Sequence, residues 1–123
     1  MESKYHQRTR IRKLSASTDG LPVKVVATAT TGTTIHTAVA GTTAGTFDLV
    51  TLYALNTHTA DVVLTVEFGG TATDNLIAMN IPFKSGLFMI CDQMPLQNAK
   101  VITAFAATAN VIMLYGWITP VND

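Results

Sequence analysis

Three histidines, one cysteine and eight acids are the side chains of this 123-residue sequence best suited to metal binding or proton transfer. His6, His36 and His58 fall in no spacing that sets two ligands on one face of a single element. A zinc site would need His36 and His58 to converge with Cys91 or an acid. His36, between Ile35 and Thr37 in a β-rich run, reads instead as a hydrogen-bonded sheet histidine, and His58 in "NTHTAD" as an exposed turn residue. Asp48, Asp61, Glu67, Asp74 and Asp92 are scattered singly, where turn capping and solvation are expected. Asp61 and Glu67 share a strand face but stand about 20 Å apart by strand rise, too far for the paired carboxylates of glycoside hydrolysis. Ser3, Ser15, Ser17 and Ser85 include no nucleophile elbow, and "GTTAGT" has neither the lysine nor the following helix of a phosphate loop. Cys91, the only cysteine, can form no intrachain disulfide and is expected to be a buried structural thiol. No enzyme activity, metal or cofactor is expected.

Charge is unevenly distributed. Net charge is zero, yet five of the eight basic residues lie in "MESKYHQRTRIRK": Lys4, Arg8, Arg10, Arg12 and Lys13. Residues 1–20 therefore read as an extended basic arm and linker, ordered only when bound, ahead of a mildly acidic body from residue 21 to 123. The five cations are the expected partner-binding residues, suited to an acidic protein surface ahead of nucleic acid. Only 13% of the chain is charged against 48% hydrophobic, fewer charges than the roughly 25% of an ordinary soluble domain. Part of the body's surface is therefore expected to be buried against partners. No run approaches the roughly 18 apolar residues of a membrane-spanning helix, and no signal peptide is recognisable.

The body consists of short β-rich runs separated by Gly, Asn, Asp and Pro, the pattern of an antiparallel all-β domain. Leu21–Thr30 and Thr33–Val39 read as a first hairpin through Thr31-Gly32. Phe47–Asn56 is apolar on both faces and reads as a central strand. In Asp61–Phe68, Val62, Leu64, Val66 and Phe68 share one face and point inward. Leu76–Pro82 and Gly86–Ile90 follow as short strands, with "CDQMPLQNA" irregular. Lys100–Ala107 and Asn110–Ile118 read as a last hairpin, its final strand central or covered. Seven or eight such strands fit an antiparallel β-sandwich, jelly-roll-like ahead of immunoglobulin-like. Its expected core includes Val50, Leu52, Leu64, Val66, Leu87, Phe105, Ile112 and Leu114.

The series "TIHTA", "DLVTLYALNTHTADVVLTVEFGG", "IPFKSGLFMI" and "AFAATANVIMLYGWI" resembles small virion structural proteins of tailed bacteriophages, of the head-decoration or cement type. The resemblance covers roughly Thr33 to Ile118 and rests on strand patterns. It implies a non-enzymatic protein made in the host cytoplasm and placed on the capsid exterior. There it would bind the major capsid protein or neighbouring virion subunits as a homo-oligomer, a trimer first, and stabilise the head. The rival readings are a head-tail connector, tail or fibre-associated subunit, and a host-surface or carbohydrate-binding module. The last is disfavoured because Tyr53, Tyr115 and Trp117 lie within strands rather than on a loop rim.

Overall fold

The computed structural model describes residues 10–122 and contains nine strands. These are β1 (Arg12–Lys13), β2 (Val23–Lys24), β3 (Thr33–Thr37), β4 (Thr46–Asn56), β5 (Val62–Phe68), β6 (Leu76–Ile81), β7 (Phe88–Leu96), β8 (Val101–Ala106) and β9 (Ile112–Asn122). One sheet runs β1-β9-β4-β7 with β2 also on β9, and the other runs β3-β8-β5-β6. All pairings are antiparallel and nested, β5 with β6, β4 with β7, β3 with β8 and β2 with β9. Such a chain is one long double hairpin, and rolling it up sets β9 beside β4 and β8 beside β5. That is jelly-roll connectivity.

Strand alternation decides what the roll encloses. Val62, Leu64 and Val66 of β5, Val50, Leu52 and Ala54 of β4, and Ile112, Leu114 and Ile118 of β9 all point inward and are buried. Ile35, Ile81, Ile102, Ala104 and Ala106 complete the packing. β4 also carries buried polar residues near its two ends, Asp48 and Asn56. The Asn56 Nδ2–H group donates to the carbonyls of Ile81 at 2.8 Å and Ala60 at 3.0 Å, tying this end of β4 to the opposite sheet.

Several local expectations are corrected. Leu21–Thr30 contributes only β2, which joins β9, while β3 joins β8, so the expected first hairpin is a crossing between sheets. A glycine is required at position 32, where a Cβ would lie 2.3 Å from the Ala104 carbonyl oxygen. β8 and β9 likewise belong to different sheets, so the expected last hairpin is a second crossing. "CDQMPL" is strand rather than loop. β7 runs through it with register shifts opposite Val50, Leu52 and Tyr53, and tolerates Pro95 because it is an edge strand.

Two expected core residues are misplaced. Leu87 is 55% exposed, ahead of β7, and Phe105 is half-buried because Ala104 and Ala106 take the inward positions of β8. The expected linker is also packed. Leu14 is 1% exposed, the Ala16 N–H donates to the Ile35 carbonyl, and β1 pairs with β9. The segment thus passes from the edge of one sheet to the edge of the other, and Leu14 is drawn inward to cover the gap.

Leu64→Ala should lower stability by about 2 to 5 kcal/mol by leaving a cavity between the sheets. Leu87→Ala should stay within about 0.5 kcal/mol, as exposed substitutions do. Urea denaturation of both variants checks this contrast.

Candidate functional site

Of the five expected partner-binding cations, Lys4 and Arg8 lie outside the described residues. Arg10, Arg12 and Lys13 are exposed along one rim of the sandwich. The ladder fixes two of them, with Arg12 opposite Ile118 and Lys13 opposite Trp117. All three line a cavity of about 310 Å³ whose other walls include Ser15, His36, Phe47, Asp48 and Pro120. Arg12 and Lys13 are therefore part of a sheet, held in place rather than strung along an extended arm.

His36 and Asp48 form the polar side of this cavity and are both buried. The Ser15 N–H donates to His36 Nδ1 at 3.0 Å, which leaves the ring proton on Nε2. That Nε2–H donates to Asp48 Oδ2 at 2.9 Å, and the Val39 N–H donates to the same oxygen at 3.2 Å. His36 belongs to one sheet and Asp48 to the other, so the bond closes this end of the sandwich as Asn56 closes the other. The expectation of a hydrogen-bonded sheet histidine holds. The expectation that Asp48 is solvated does not, because inward alternation on β4 carries it under the rim. With this carboxylate already engaged, three guanidinium and ammonium groups leave the cavity mouth suited to an anion, above all to a carboxylate that arginine can grip in two places.

Glu67 was expected on a solvated face and is fully buried. It lies on the outer face of β5, but the crossing between β2 and β3 folds over it. The Thr30 and Thr103 hydroxyls donate to its carboxylate, as does the Gly32 N–H at 2.8 Å. Burial pushes the Glu67 carboxyl upward, but these three donors outweigh it and hold it below the ordinary value of 4.5. The arrangement is a clamp for the crossing. Sequence gave only one hint, an acid flanked by Val66 and Phe68 in an otherwise uncharged strand.

The remaining chemistry-bearing residues stay apart. His58 follows β4 at the end opposite Asp48. Cys91 is buried, and burial pushes its thiol up to about 11. Among the described residues, no three of His, Cys, Asp and Glu gather into a group that would hold a metal ion. Tyr53, Tyr115 and Trp117 do come together. Tyr53 stands opposite Tyr115 across the β4–β9 ladder, and the rings of Tyr53 and Trp117 stack with centroids 6.0 Å apart. They occupy the outer face of the first sheet, a convergence that alternation on two separate strands did not reveal.

No protein-family model, curated protein or solved structure significantly matches this chain.

The Glu67 clamp carries a pH signature. Its folded value lies below its ordinary one, so its stabilisation is complete above about pH 4.5 and is lost as pH falls through the lower, folded value. Glu67→Gln should be less stable at neutral pH by about 1.5 to 3 kcal/mol, the worth of hydrogen bonds to a charged acceptor. Its stability should also fall less steeply under acid than that of the parent, as read by denaturation midpoints across the acid range.

Proposed function

We propose that this chain is a non-enzymatic structural subunit of a virion, a decoration protein on the outer surface of a tailed-phage capsid, where it binds the major capsid lattice and stabilises the head. The observation that carries the reading is the rigid basic rim. Arg10, Arg12 and Lys13 surround a cavity whose own carboxylate is satisfied by His36, an arrangement that favours an acidic partner surface. The sequence resemblance supports the same role. The jelly roll is compatible with it but is shared by capsid, lectin and cupin domains, so the rim and not the fold favours this role.

Attachment through such a rim is electrostatic. Single exposed pairs contribute about 0 to 1 kcal/mol each and weaken with salt, so anchoring depends on several acting together. Lys4 and Arg8 precede the rim in sequence and lengthen the basic stretch.

Purified particles of the encoding phage should contain this chain in hundreds of copies by quantitative mass spectrometry, and rising salt should release it. Rebinding of the Arg10→Glu, Arg12→Glu double variant to stripped particles should be weaker and less salt-sensitive, with an unchanged melting temperature. Absence of the chain from particles, or rebinding by the double variant as tight as the parent's at every salt concentration, would overturn the proposal.

A further inference from the structure

We propose that the outer face of the β1-β9-β4-β7 sheet is a self-association surface, occupied by the same face of a second copy about a twofold axis running along the strands. The middle of this face is apolar and uncharged. Its outward pairs include Thr51–Trp117, Tyr53–Tyr115 and Leu55–Met113, and Met89 stands beyond Tyr53 at 50% exposure. The opposite face of the sandwich differs, because there the β2–β3 crossing is clamped over Glu67.

The charges that border the apolar middle identify the occupant. On the β1/β2 side, Lys13 stands opposite Trp117 and Lys24 opposite Met113. On the β7 side, Asp92 lies 3.5 Å from the Thr51 hydroxyl. A twofold axis parallel to the strands exchanges the two sides at constant height along them, so each copy's Lys13, in the Thr51–Trp117 row, meets the other's Asp92, while Lys24 lies four residues along, in the Leu55–Met113 row. An axis across the strands would set lysine against lysine. Face-to-face sheets pack at about 10 Å with a modest rotation, which these side chains can fill.

The strand spacing and length give a contact on the order of 500 Å² per copy. A pair therefore buries on the order of 1,000 Å², near the lower limit for a specific interface, and affinity in the micromolar range is expected. The assembly order this predicts is two, against the three expected from the resemblance. Self-association through this face does not require attachment to a virion.

Sedimentation equilibrium of the full chain should show a monomer–dimer equilibrium. Emission from Trp117, the only tryptophan, should move to the blue as dimer forms. Trp117→Lys and Met89→Lys should abolish the dimer with the fold retained by circular dichroism. Asp92→Lys and Lys13→Asp should each weaken self-association by about tenfold or more through like-charge contact. An equimolar mixture of those two should regain it, because every reversed charge then meets its opposite. Failure of the mixture to exceed either variant alone would overturn the proposal, as would dimerisation indifferent to Trp117→Lys. A strictly monomeric chain would also overturn it, and two responses would then name another occupant. Trp117 emission that changes with cellohexaose would assign the face to sugar, and emission that changes on deletion of residues 1–9 would assign it to the chain's own N-terminus.

Discussion

The ladder between β4 and β9 is the constraint on which the rest of the molecule depends. It runs without interruption from Thr46 opposite Asn122 to Asn56 opposite Ile112, joining two strands of eleven residues each. It closes the rolled double hairpin on one side, and every other element is placed relative to it. Its tightness is visible at Gly116, where a Cβ would sit 2.1 Å from the Thr51 carbonyl oxygen. A side chain there would force the two central strands apart. β9 in turn pairs along its other edge with β1 and β2, so the segment entering the sandwich is fixed by the same strand that completes it.

The two sides of that ladder do different work. Inward, β4 places Val50, Leu52 and Ala54 in the core and buries Asp48 and Asn56 near its ends, where His36 and the Ile81 carbonyl meet them from the opposite sheet. Buried polar groups that are fully paired fix how two sheets sit on each other, a specificity that apolar packing supplies less sharply. Outward, the same strands align Tyr53, Tyr115, Thr51 and Trp117 in opposed pairs. A charge-poor composition thus becomes one uncharged face bordered by charges of opposite sign, with a basic rim at the end where Asp48 lies.

Much of the fold was legible in the sequence, and the reasons for the exceptions are physical. β4, β5, β8 and β9 were readable because long uncharged stretches rich in β-branched residues suit strands covered by neighbours. The hairpins at Thr31-Gly32 and at Thr108–Asn110 were misjudged because a turn looks alike whether the next strand returns to its own sheet or crosses to the other. Leu87 is apolar but lies ahead of its strand, and Phe105 yields the inward side of β8 to the small Ala104 and Ala106, so hydrophobicity alone points both inside. Of the site, the cations were legible as a cluster. Their placement around His36 and Asp48 was not, since it depends on a cross-sheet bond between adjacent strands in different layers. Glu67 was missed because the chain that covers it has no local signature of covering anything.

We propose that a jelly roll with a basic rim and an uncharged outer face serves to be held between neighbours. The decisive measurement is a side-chain-resolution reconstruction of the proposed virion. The expected result is this chain on the capsid exterior, with Arg10 and Arg12 against acidic side chains of the coat and with Lys13 and Trp117 against a second copy. A particle in which the rim and the Tyr53–Trp117 face both point into solvent would contradict it.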